Sequence, residues 1–162
     1  MRRLFLCLVI LTSLNISIKL EAKEVIQIPD NVKASCEKWG EEYGICPEIL
    51  EAVCWHETRC KAELENEGCV GITQINPKYH KASMELLGID DLYDYDQNIH
   101  LCAYTLHEYS QQEEDLYYAL MCWNSGSTRG KKLFEQGRFT KYAIQVAEES
   151  YTLEQMNGKV GW

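Results

Sequence analysis

From Val32 to Val146 the apolar residues of this 162-residue chain recur every three or four positions, and no stretch alternates long enough for a strand. A repeat of 3.6 buries one face of a helix, whereas period-two alternation is what a half-buried strand requires. The pattern therefore predicts an all-α protein. Val32, Cys36, Trp39 and Tyr43 mark a first helix stopped by Gly44, and Pro47 opens the next, where a missing N–H has no helical partner to lose. Leu50, Val53, Cys54 and Glu57 then share one stripe. A turn-rich stretch from Glu65 to Pro77 precedes a short helix over 78–87 closed by Gly88. The acidic run Asp90 to Asp96 reads as loop and cap, leading into Ile99, Cys102, Ala103, Leu106 and Tyr109. Leu116, Ala119, Leu120 and Trp123 repeat the spacing up to Asn124-Ser125-Gly126, and Phe139, Tyr142, Ala143 and Val146 form the last stripe. With no internal repeat and no linker, residues 23–162 are expected to form one domain.

The first residues differ from the rest. Arg2 and Arg3 precede an apolar run from Leu4 to Leu14, and a more polar stretch ends at Ala22. This is the layout of a secretory signal peptide over 1–22, so export to periplasm, envelope or medium is expected. The apolar run falls short of the ~20 residues of a membrane span, so none is expected after cleavage. Leu20 stands where cleavage prefers a small residue, which keeps an uncleaved N-terminal anchor as the alternative. The chain carries 16 Lys+Arg against 25 Asp+Glu, a net charge of −9. Binding nucleic acid through its phosphates requires a basic face, and that class of partner is excluded.

Eight cysteines in an exported chain raise the question of disulfides. Cys7 lies in the leader, leaving Cys36, Cys46, Cys54, Cys60, Cys69, Cys102 and Cys122, an odd number. Zinc is not expected: there is no Cys-x-x-Cys, and His56-Glu57-x-x-Cys60 ends in Cys where a zinc protease needs a second His. Cys54, Cys102 and Cys122 on apolar stripes read as buried thiols. Cys60 and Cys69 flank a polar segment and are the pair expected to form a bridge, which would close a loop of about ten residues.

Glu57 breaks the apolar pattern. A carboxylate on this stripe faces the core or the wall of a cleft, where desolvation favours the neutral acid. An acid kept protonated near neutral pH can donate to a leaving group. The periodicity leaves an alternative open, in which Glu57 turns to water or pairs with Arg59 or Lys61.

From about Gly44 to Ala147 several ordered motifs resemble the soluble lytic transglycosylase family, a branch of the lysozyme-like fold related to goose-type lysozymes. Ile49 to Thr58 (ILEAVCWHET) is similar to the family's helix ending in the catalytic Glu-Ser, which implies Glu57 as the acid and Thr58 in the Ser position. Gly68 to Pro77 (GCVGITQINP) resembles the Gly-Ala-x-Gly-Leu-Met-Gln segment, Asp94 to Leu106 the Asn-Ile helix with Asn98 and Ile99, and Tyr118 to Gly126 the Ala-Tyr-Asn-Ala-Gly ending. The resemblance implies one lysozyme-like domain of about six to seven helices around a glycan-binding cleft.

It also implies substrate contacts at Thr58, Gly71, Gln74, Asn76, Trp123 and Asn124. Gly68 and Gly71 would let backbone approach flat sugar rings. Gln74 would hydrogen-bond N-acetyl and hydroxyl groups, Trp123 would face a ring, and Asn124 would bond in the cleft or cap its helix. Asn98 would support a helix start. Trp123 stands where the family has Tyr, so a hydroxyl near the acid is lost or moved to Tyr117, Tyr118 or Tyr142. Thr73 and Asn76 replace residues that are commonly methionine.

Ordinary glycosidases use two carboxylates, ~5–5.5 Å apart for retention and ~6.5–9.5 Å for inversion. The resemblance supplies only Glu57. Glu51 reads as off the face, and Glu63, Glu65 and Glu67 fall in the following loop. The family chemistry needs one acid and neither metal nor cofactor: it cleaves peptidoglycan strands between N-acetylmuramic acid and N-acetylglucosamine and leaves a 1,6-anhydro end. A goose-type muramidase that uses water, or a noncatalytic wall-binding domain, are the alternatives. An envelope-spanning machine stands as a further partner.

Overall fold

The computed structural model describes residues 24–159. The leader expected over 1–22 lies outside the described residues. The chain runs α1 (Asp30–Tyr43), α2 (Pro47–Thr58), β1 (Glu65–Asn66), β2 (Cys69–Val70), α3 (Pro77–Leu87), α4 (Tyr95–Ser110), α5 (Leu116–Ser125), α6 (Ser127–Glu135) and α7 (Lys141–Met156). This is a mainly-α, lysozyme-like architecture. Gly44 and Gly88 end α1 and α3 in the left-handed conformation, and Pro47 starts α2. Asp94, Asp115 and Thr140 cap α4, α5 and α7 with side-chain acceptors.

Helix α2 runs through the middle of the main core, against α1, α4 and α7. Leu50, Ala52, Val53 and Cys54 are sealed among Cys36, Ile99, Cys102, Met121 and Val146. A smaller core of Ile75, Ile89, Leu92 and Leu101 receives Met84 and Leu87 of α3, and Trp123 packs against both cores. Burying each Leu or Ile contributes about 1.5–3 kcal/mol.

Two elements depart from the pattern expectation. A two-residue hairpin pairs Glu65 with Val70 and Asn66 with Cys69. Its turn residues Glu67 and Gly68 have φ of 51° and 79°, so it closes as the type I′ turn that suits strand twist. Two residues per strand are too few to show alternation. Helix α6 lies outside the expected stripes because Ser127, Thr128 and Gly130 have the composition of a turn. Gly130 is there for contact: a Cβ would come within 2.6 Å of the Cys122 backbone nitrogen, so glycine lets α6 pack on α5.

Glu51, expected off the buried face, is 2 % exposed, because α2 is covered on nearly every side. Its Oε2 has no hydrogen-bond partner, and burial next to Glu48 pushes the carboxyl up to about 7. Burial also raises Glu48, but Lys159 Nζ at 2.7 Å, Asn157 Nδ2 at 3.0 Å and Cys46 Sγ at 3.0 Å outweigh it and hold Glu48 at about 2. The signs oppose. Glu51 contributes its stability fully below the unfolded value near 4.5 and loses it as pH rises toward and past 7; Glu48 contributes above 4.5 and loses as pH falls toward 2. Glu51→Gln is expected to stabilise the protein at pH 8 by about 2–3 kcal/mol and to flatten the decline above pH 5. Urea unfolding at pH 5 and 8 measures both.

The Cys60–Cys69 bridge is not formed; all seven cysteines of the described residues are free thiols. Cys60 packs against the main core, where burial and the nearby Cys36 push its thiol up to about 12, while Cys69 sits on β2 opposite Asn66. The segment between them folds into the hairpin instead of a loop that joins its ends. Cys36, Cys54, Cys102 and Cys122 are fully buried.

Candidate active site

The stripe that buries Leu50, Val53 and Cys54 carries Glu57 to the end of α2, where it is half-buried. The helix stops directly afterwards without glycine. Arg59 and Cys60 take φ of 55° and 62°, a conformation that costs an L-residue about 1–2 kcal/mol. The bonds that hold it are Cys60 N–H to Cys54 O at 3.1 Å and Arg59 Nη1 to Trp55 O at 2.6 Å. Arg59 Nε also donates to Glu24 Oε2 at 2.8 Å, so Arg59 is committed away from Glu57.

Burial raises the Glu57 carboxyl above its ordinary range; Tyr142, His56 and Trp123 pull it partly back. Tyr142 Oη is sealed from solvent without a fully formed hydrogen bond, and burial beside Glu57 keeps it protonated. Trp123 lies close enough to both groups to favour their charged forms. Of the three tyrosines open as a hydroxyl source, Tyr142 is the one beside Glu57. Tyr118 donates to Gln112 at 2.9 Å, and Tyr117 meets Phe139 edge-to-face at 5.1 Å. Burial thus favours the neutral form of the carboxyl, with the neutral side chains Tyr142 and Trp123 beside it, which is the direction a general acid needs.

The 71–76 segment is held as a unit by Asn98. This fully buried side chain accepts from Thr73 N at 3.1 Å and Thr73 Oγ1 at 2.6 Å, and donates to Val70 O at 3.0 Å and Leu92 O at 2.8 Å. The expected substrate contacts sort accordingly. Thr58 is buried, and its hydroxyl donates to Ile72 O at 2.8 Å and accepts from Lys61 N at 3.1 Å, so it ties α2 to this segment. Gly71, with φ 78°, is required by Leu92 O and Asn98 Nδ2, which occupy the space of a Cβ; its close approach is internal. Gln74 uses its Nε2 on Gly71 O at 2.9 Å and Leu64 O at 3.2 Å, leaving Oε1 as an acceptor. Asn76 caps α3 through Lys78 N at 3.1 Å. Trp123 stands beside Glu57, and Asn124 is exposed in the last turn of α5. Past it, Ser125, Ser127, Thr128, Arg129 and Lys132 line a shallow depression of about 440 Å³.

Two histidines also belong here: His56, which the sequence brings up only in the rejected zinc pattern, and His80, which no motif marks. His80 of α3 lies 6.1 Å from Trp123, ring centre to ring centre, and burial lowers its imidazole. His56 Nδ1 donates to Glu149 Oε2 at 3.0 Å, and its ring meets Tyr142 edge-on at 5.0 Å. His56 adjoins Glu57 in sequence, the one signal that could have marked it.

A helical, lysozyme-like domain with a half-buried glutamic acid at the end of its central helix is the class that fold and site define. The chain belongs to the Transglycosylase SLT domain family, whose profile matches residues 34–146. No curated protein matches its sequence. Among solved structures it is similar to an inactive Glu-to-Gln mutant of the lytic transglycosylase Slt from Pseudomonas aeruginosa, with a TM-score of 0.71 at 18% identity over 80% of this chain. The chain spans about a quarter (25%) of the length of that protein.

Proposed function

We propose that the protein is a peptidoglycan lytic transglycosylase in which Glu57 acts alone as acid and then base on the bond between N-acetylmuramic acid and N-acetylglucosamine. The observation that carries this reading is Glu57 itself, half-buried and raised by desolvation among the neutral donors Tyr142 and Trp123. The protonated carboxyl gives its proton to the glycosidic oxygen as the C1–O4 bond breaks. The resulting carboxylate then takes the proton of the muramic 6-hydroxyl as O6 closes on C1. No water is consumed, and the acid returns to its starting state.

Hydrolysis would need a second carboxylate to activate water. Glu63, Glu65 and Glu67 on or next to the hairpin are all exposed, and Glu65 accepts from Tyr93 Oη at 2.7 Å. Their exposure favours the single-acid route. Peptidoglycan lies outside the cytoplasm, which fits export by a leader at 1–22, and no helix of the described residues is long and apolar enough to cross a membrane. Purified protein is expected to clear a suspension of cell walls. Walls left turbid at every pH between 4 and 8 would favour the noncatalytic wall-binding alternative.

A further inference from the structure

The His56–Glu149 pair joins α2 to α7 at the residue that precedes the acid. His56 Nδ1 donates to Glu149 Oε2 at 3.0 Å, and both side chains are about one-fifth exposed, at 22% and 19%. The same ring stands edge-on to Tyr142, with 5.0 Å between centres and 82° between planes, and Tyr142 is the residue whose hydroxyl bears on Glu57. Fixing His56 through Glu149 therefore fixes one wall of the space that Tyr142 occupies.

Charge adds a second consequence. Among the described residues, the groups that bear on Glu57 are Tyr142 from α7, Trp123 from α5, Cys102 from α4 and His56 on α2. Tyr142 and Cys102 are kept neutral by burial, and an indole does not ionise. The charged groups facing His56 are Glu149 and, beyond the helix end, Arg59, whose Nη1 donates to His56 O at 3.2 Å. Of the four groups that bear on Glu57, His56 alone has a side chain that can carry a positive charge, since Arg59 is turned to Glu24 and the Trp55 carbonyl.

We propose that His56, anchored by Glu149, is a positioning residue for the acid: it steadies Tyr142 against Glu57 and supplies the ionisable cation next to the carboxyl. A cation there favours the carboxylate formed after the proton has gone to the leaving group, so it assists the step in which Glu57 must exist as base. The inference rests on Glu57 being the acid of the proposed reaction.

The test is a carboxyl-carbon NMR titration of Glu57 in the full protein, the resonance being assigned by its disappearance in Glu57→Gln. His56→Gln is expected to move the Glu57 midpoint to higher pH, and His56→Lys, which keeps a cation, to leave it closer to wild type. Glu149→Gln is expected to change the midpoint only while His56 is present. On cell walls, His56→Gln should shift the alkaline limb of kcat/KM in the same direction, with a plateau within about tenfold of wild type, small beside the 10²–10⁴ of a general acid. A midpoint that ignores both His56 variants, in protein that melts as wild type does, overturns the proposal. The two readings fail separately. Cleaved walls with an unmoved midpoint remove His56 from the account; intact walls with a midpoint that follows His56 remove the reaction and leave the electrostatic coupling.

Discussion

Glu57→Gln is expected to abolish release of soluble muropeptides from purified walls while the protein keeps its fold. The substitution preserves volume and removes the one proton the reaction uses. A general acid contributes about 10²–10⁴ in rate. Because the hairpin carboxylates are exposed and Glu65 is engaged by Tyr93, no second acid stands ready to substitute. Stability should move the other way. Burial raises the folded-state carboxyl, so folding favours its protonated form, and that contribution is lost as pH rises through the folded value. A neutral amide escapes that loss, and the variant should melt at or above the wild-type temperature at pH 7.5. Muropeptide release and thermal unfolding, measured on the same preparation, check the two halves. Retained cleavage would remove Glu57 from the mechanism.

Asn98→Ala is expected to be the most damaging substitution for the fold. Asn98 is 0 % exposed and serves four polar groups, two on Thr73 and one each on Val70 and Leu92. Alanine leaves these groups in the interior without a partner, at about 1–3 kcal/mol for each one left unsatisfied. Allowing for relaxation and non-additivity, a loss of about 3–5 kcal/mol is expected, against a total of about 5–15 kcal/mol for a domain. Asn98→Asp should fare little better, since a carboxylate would replace the Nδ2 donor and face the Val70 and Leu92 carbonyls. Denaturant unfolding at neutral pH reads the loss directly; a change below 1 kcal/mol would mean that the 71–76 segment is held by other contacts.

The helices were legible where a stripe buried one face and a proline, glycine or acceptor side chain marked the end. Gly44, Pro47, Gly88 and Asp94 are local signals, and each stands at the terminus it marks. Helix α6 and the hairpin were not legible, for different reasons. Gly130 breaks helix propensity, and its justification is a contact with α5 that no local pattern reveals. The hairpin rests on a two-residue turn between strands too short to alternate.

The site divides in the same way. Glu57 was visible because a charged residue on an apolar stripe is a local anomaly. Glu51, on the same helix, was misread because the second face of α2 is covered by elements distant in sequence. Tyr142, Glu149 and the role of Asn98 depend on contacts between residues about 25 to 93 positions apart, which periodicity cannot encode. Thr58, Gly71 and Asn76, for which the resemblance implies substrate contacts, also make internal contacts that the motifs do not announce: Thr58 to Ile72 O, Gly71 against Leu92 O and Asn98, and Asn76 to Lys78 N.

The central claim is that one acid cleaves the glycan without water. Mass spectrometry of muropeptides released by the wild-type protein tests it most directly, with the digestion run in ¹⁸O-labelled water. The account predicts 1,6-anhydromuramoyl ends that carry no label from the solvent. Reducing muramic ends that have taken up ¹⁸O at C1 would contradict it and identify a hydrolase.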